Sequence, residues 1–152
     1  MEQAGITIFT GVFIAVITSW LTVQFSLKQF RDQKWWEKKA NTYERILEAL
    51  HKSKKFSDEH LKAEYTNRDV KEERNNELRK QANESREEIL RAIDVGAFYL
   101  SDEAVQILKK YDADTDDLAS LDTWYEYLDA DNTICHRTLE KLIVIAKQDL
   151  KR

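Results

Sequence analysis

Arg45 and His51 are the residues of this chain best suited to chemistry on a phosphodiester, because a guanidinium can stabilise the charge of a phosphorane while an imidazole moves a proton. They bracket the stretch RILEALH, residues 45 to 51. Six positions at 100° each turn the two side chains about 120° apart on a helix, so one helix does not aim both at one point. The plainer reading of the same residues is a surface arginine and a histidine at the edge of a bundle. Cys135 and His136 are sequence neighbours and diverge by about 100° on a helix; a zinc site drawn from His51, His60, Cys135 and His136 would require tertiary convergence. The run DADTDDLASLD, residues 112 to 122, alternates acids as a calcium loop does. An EF-hand loop starting at Asp112 would place Gly at 117 and a bidentate Glu at 123, where the chain has Asp117 and Thr123. A solvated, N-capping acidic loop is therefore expected, and no metal site is assigned. With three His, one Cys and no phosphate-cradling glycine loop, the chain is not expected to be an enzyme or to carry a cofactor.

The elements that would position these residues are helical. The chain has no Pro, three Gly and 34% charged residues, which predicts an all-α fold with few internal breaks. From Ile6 to Leu27 no residue is charged, and about 22 residues at 1.5 Å each match a hydrocarbon core of ~30 Å. Residues 5–27 are thus read as a transmembrane helix, after a short external tail at 1–4, and residues 28–152 as a helical domain. Lys28, Arg31, Lys34, Lys38 and Lys39 follow the span while no Lys or Arg precedes it, which places the N-terminus outside and the domain in the cytoplasm. A cleaved signal would put its basic residues ahead of the apolar run, so an uncleaved anchor is expected. The lone Cys135 fits a reducing compartment. A net charge of -4 argues against general nucleic-acid binding.

Within the span the residues sort by face. Thr7, Gly11, Ala15, Thr18, Thr22 and Ser26 fall on one third of the circumference, opposite Ile6, Phe9, Phe13, Val16, Ile17 and Trp20. Small residues four apart allow close helix approach and hydroxyls can bond across it, so the stripe is read as a homo-oligomer or pore face. The alternative for any single Thr or Ser is a bond back to its own i-4 carbonyl. Trp20, Lys28, Arg31, Lys34 and Trp35 are expected at lipid or headgroup level.

Beyond the span, a helix lined by Trp36, Ala40, Tyr43, Leu47, Leu50, Leu61 and Tyr65 is expected to run to about Thr66, with a bend, frayed turn or solvated patch at residues 51 to 60. Thr66 to Asp69 reads as a capping turn before a second helix, Val70 to about Val95, with Gly96 as its C-terminal cap. Ser101 is expected to cap a third helix carrying Val105, Leu108 and Tyr111. The last helix places Leu121, Tyr125, Leu128, Asn132, Cys135, Leu139, Leu142, Ile143, Ala146 and Leu150 in one arc, with Ile134 and Ile145 pointing away. The sum is a bundle of about four helices.

The Arg45 to His51 spacing matches the loose arginine and histidine signature of the HEPN ribonucleases, with Ile46 where that family usually carries a polar residue. Together with one N-terminal anchor and a helical domain, the layout resembles the small membrane-anchored HEPN-like accessory proteins of bacterial Cas13b-type CRISPR systems. The resemblance implies copies of the chain that assemble in the bacterial inner membrane and permeabilise it in antiviral defence. The expected function is a pore-type effector controlled by its bundle. Its expected partners are membrane lipid, further copies, and a cytoplasmic protein or anionic small-molecule regulator. A membrane-tethered ribonuclease using Arg45 and His51, or a non-catalytic scaffold recruiting a cytoplasmic partner, stands as the alternative.

Overall fold

A chain without Pro, and without Gly between Gly11 and Gly96, has little to interrupt a helix once one has started. The computed structural model describes the backbone of residues 2–151 and the side chains of residues 14, 15 and 17–151. Among the described residues it contains no strand. The helices are α1 Glu2–Tyr65, α2 Glu72–Asp94, α3 Asp102–Asp116 and α4 Trp124–Asp149, with 3-10 turns at Gly96–Phe98 and Asp117–Ser120. The all-α expectation and the number of helices hold. The chain divides into two units, Met1–Glu37 and Lys38–Arg152.

The first unit lies wholly on α1. Its large apolar side chains are open, with Ile14 59%, Trp20 61% and Phe25 70% exposed. Thr22 donates its hydroxyl to the Thr18 carbonyl at 2.8 Å, the local bond that a lone threonine makes. Lys34 pairs with Glu37 at 2.7 Å. Among the described residues no helix is long and apolar enough to cross a membrane. Of the expected span, the side chains of residues 5–13 and 16, including Thr7 and Gly11, lie outside the described residues.

The second unit is a bundle built from the rest of α1 with α2, α3 and α4. Tyr43, Ile46 and Leu50 recur at helical spacing on α1 and meet Ile89 and Ala92 of α2, Val105, Leu108 and Tyr111 of α3, and Cys135, Leu142 and Ile145 of α4. Each fully buried Leu or Ile stabilises the fold by about 1.5–3 kcal/mol relative to exposure. A smaller cluster joins Phe56, Leu78 and Leu128. Through Leu78, with Ala82 packed beside it, the cluster anchors the polar first half of α2.

Several local expectations change. Residues 51 to 60 form neither bend nor solvated patch, because Phe56, Ser57 and His60 turn inward and the helix runs unbroken to Tyr65. Trp36 and Tyr65 are exposed and do not join the core. Thr66 to Asp69 ends α1 instead of capping α2: Asn67, at φ 48°, takes the left-handed position while Arg68 N–H bonds the Ala63 carbonyl at 3.0 Å and Asn67 N–H the Glu64 carbonyl at 3.1 Å. Gly96 is not a left-handed cap. Val95 ends α2 in right-handed geometry, and a Cβ on Gly96 would lie 3.4 Å from Ala92 and 3.5 Å from Thr42, ordinary contact distances, so the packing there does not require a glycine. The acidic run is the last turn of α3 and a 3-10 turn; Thr123 caps α4, accepting from Glu126 N–H at 3.2 Å. Ser101 caps α3 as expected, accepting from Ala104 N–H.

The buried face of α4 is rotated from the apolar arc. Ile134 and Ile145 are buried, whereas Leu121, Tyr125 and Ile143 are exposed. Two carboxylates also lie on the inward face. Asp131 is buried with the Ser57 hydroxyl donating to it, and Asp149 with the Tyr43 hydroxyl donating to it and Lys39 at 3.7 Å. A buried carboxylate is tolerable only with such partners. Asn132, expected at the seam, lies nearer the surface and donates to Asp58 at 2.5 Å.

Candidate functional site

Arg79, Ala82, Asn83 and Arg86 recur at i, i+3, i+4 and i+7 on α2, so they form one stripe along the helix. This stripe lines a cleft of about 400 Å³ whose other walls are Ser53 and Phe56 of α1, Tyr111 and Thr115 of α3, and Trp124, Tyr127 and Asp131 of α4. The cleft exists because several of its wall positions are small: Ala82, Ser53 and Thr115 do not fill the space where four helices converge. All its walls belong to the second unit.

Aromatic rings form one wall. Trp124, 44% exposed, stacks on Tyr127 with ring centres 5.3 Å apart and planes 6° from parallel. Phe56 and His60 stand nearly perpendicular to it. His60 is fixed in turn, with Nδ1 2.8 Å from the Phe56 carbonyl and Nε2 3.0 Å from the Asn75 side chain. Since a carbonyl only accepts, Nδ1 carries the proton in that bond.

Charge is divided across the cleft. Arg86 reaches α3, donating from Nη2 to Asp116 and, at 3.4 Å, to Asp112; the Asp116 hydrogen bond raises its pKa further. Among the described residues Arg79 makes no ion pair. Asp131, contributed by α4, is 6% exposed, and burial raises its carboxyl above the usual range despite the opposing Ser57 hydrogen bond. Behind it, Ser53 and Tyr111 share a hydrogen bond of 3.2 Å and Tyr111 lies 3.6 Å from the Cys135 sulfur. Burial pushes the Cys135 thiol up to about 12 and raises the Tyr111 phenol as well, so Cys135 stays a protonated packing residue at neutral pH. The site thus offers guanidinium donors, a carboxyl acceptor and a ring surface.

Compared with known proteins, the chain matches no family, no curated protein and no solved structure. Its site is therefore read from its own geometry.

The residues singled out from sequence are not brought together. Arg45 is half-exposed and donates to Glu88 of α2 at 2.7 Å, in a shallow depression that also contains Glu48 and Glu84. These carboxylates neutralise the guanidinium and oppose an approaching phosphate. His51 is exposed and does not line that depression. His60 and Cys135 are buried in different clusters, and His136 faces Glu140 at 3.5 Å on the outside of α4. Ala15, Thr18, Thr22 and Ser26, as well as Trp20, Lys28, Arg31, Lys34 and Trp35, are exposed on α1.

The cleft is not legible in the sequence because its α2 stripe is polar, and a polar helix face has the pattern of a solvated one. One local signal is present nonetheless. Between Glu77 and Glu87, the face of α2 that carries Arg79, Ala82, Asn83 and Arg86 has two arginines and no carboxylate.

Proposed function

We propose that this chain is a single-span protein of the bacterial inner membrane, N-terminus out and residues 28–152 in the cytoplasm. Copies associate through the face bearing Thr7, Gly11, Ala15, Thr18, Thr22 and Ser26 and permeabilise the membrane under the control of the bundle. The observation that carries this reading is the uncharged run Ile6 to Leu27 on one helix, with Ile14, Trp20 and Phe25 uncovered. In water so much contiguous apolar surface would be a liability. Lipid on the Trp20 side and further copies on the Thr18 side cover it.

Trp35 then lies at headgroup depth, and Lys28, Arg31 and Lys34 gain about 1 kcal/mol each from anionic lipid. The bond from Thr22 to the Thr18 carbonyl satisfies that hydroxyl in either lipid or water, and its oxygen can still accept across a helix pair. Control follows from population shift: a regulator that binds the bundle differently in two assemblies changes which one predominates. The chain is read as non-enzymatic, and the Arg45 to Glu88 pair lends no support to a tethered ribonuclease. A role in antiviral defence rests on the layout resemblance alone.

The test is dye release from anionic liposomes carrying the full-length protein. Release is expected from the wild type and is expected to be lost when Thr18 and Thr22 are both changed to Leu. Undiminished release from that variant, or none from the wild type, ends the pore reading.

A further inference from the structure

The cleft of the bundle has the features of a ligand site that none of the roles above uses. Its volume of about 400 Å³ falls in the range of small-molecule pockets, roughly 300–1,000 Å³. Arg79 and Arg86 line it from α2, separated by two turns, about 10 Å along the axis. Asp112 and Asp116 offset the charge of Arg86 and occupy its Nη2, so a phosphate rests chiefly on Arg79, which among the described residues has no ion-pair partner, with the remaining Arg86 donors beside it. A guanidinium that lines a cleft without an ion-pair partner offers planar, paired donors that suit a phosphate.

Along the wall, Trp124 is half-exposed yet held rigidly by its stack on Tyr127, which suits it to receive a flat ring at little entropic cost. On α4, one oxygen of Asp131 takes the Ser57 hydroxyl. Among the described residues the other oxygen takes no hydrogen bond, and Asp131 is one of the residues lining the cleft. A carboxylate there is an acceptor for N–H donors. Guanine presents two adjacent N–H groups on one edge, whereas adenine presents an amino group beside a ring acceptor that a carboxylate repels.

We propose that this cleft binds a guanine nucleoside monophosphate, with the phosphate on Arg79 and Arg86, the base against Trp124 and its N–H edge on Asp131. The inference holds whether or not residues 5–27 cross a bilayer. Guanosine monophosphate, adenosine monophosphate and inorganic phosphate are titrated calorimetrically into the full-length protein in detergent micelles. Saturable binding of the guanosine nucleotide is expected, with the adenosine nucleotide and phosphate each weaker by about tenfold or more. Arg79→Ala, at an exposed position, should weaken the guanosine nucleotide by about tenfold with unchanged melting. Asp131→Asn should abolish the preference for guanine while leaving the dependence on Arg79. No binding of the guanosine nucleotide, equal binding of inorganic phosphate, or an Arg79→Ala protein that binds as the wild type does would each overturn the assignment.

Discussion

Asp131 and Asp149 are both buried on α4, yet they respond to pH with opposite signs. Burial raises the Asp131 carboxyl above its ordinary 3.8, since the Ser57 hydrogen bond is too weak to offset desolvation. Burial also acts upward on Asp149, but hydrogen bonds from Tyr43 and Ser101 with the Lys39 charge outweigh it, and the carboxyl ends below 3.8. A carboxyl raised in the folded state binds its proton more tightly there than in the unfolded chain. Its stabilising contribution is full below about 3.8 and is lost as pH rises through the folded value; that of Asp149 is present above 3.8 and lost as pH falls below it. Comparing Asp131→Asn with the wild type isolates the first effect. Denaturant midpoints taken at pH 3.5 and pH 7 should show the difference shifting in favour of the Asn variant at the higher pH. A difference that does not change with pH would mean that Asp131 titrates as an ordinary solvated acid.

At the scale of elements, helix ends rather than helix interiors separate the expected pattern from the observed one. Ser101 was identifiable as a cap because Ser before two acids has a single strong local reading. Thr66 to Asp69 has the pattern of a cap for α2, but it ends α1 instead, because Asn67 adopts φ 48° so that Arg68 and Asn67 close back on Ala63 and Glu64. A β-branched side chain is poorly suited to that conformation. Asn67→Val should cost about 1–2 kcal/mol, read as a lower melting temperature, while Asn67→Gly should be neutral or slightly stabilising. If the valine variant melts like the wild type, the left-handed turn does not terminate α1. The inward face of α4 likewise departs from the expected one. Counting apolar residues alone put Asn132 at the seam, but Ser57 and Tyr43 on α1 supply partners that let Asp131 and Asp149 occupy the inner face.

For the whole molecule the informative quantity is how many copies associate. The exposed apolar surface of residues 14–30 predicts that full-length protein in detergent sediments as an assembly of several copies and not as a monomer. Cysteine placed at Ala15 should crosslink neighbours, and cysteine at Trp20, on the lipid side, should not. Background from Cys135 is low because its thiol is buried and titrates near 12. A monomer would remove the pore reading, and capture at Trp20 alone would mean that the opposite helix face associates.

What the sequence determined by itself is the helical class, the number of helices and most of their extents, because the absence of Pro, the scarcity of Gly and apolar recurrence at helical spacing act within a few turns. It also located the uncharged run and its two faces. The tertiary structure decided which side of each helix is inward, that Arg45 is paired with Glu88, and that Arg79, Arg86, Trp124 and Asp131 line one cleft. Those outcomes depend on partners that only packing brings together: Ser57 and Asp131 are 74 positions apart, and a hydrogen bond across that separation leaves no periodic trace in either segment.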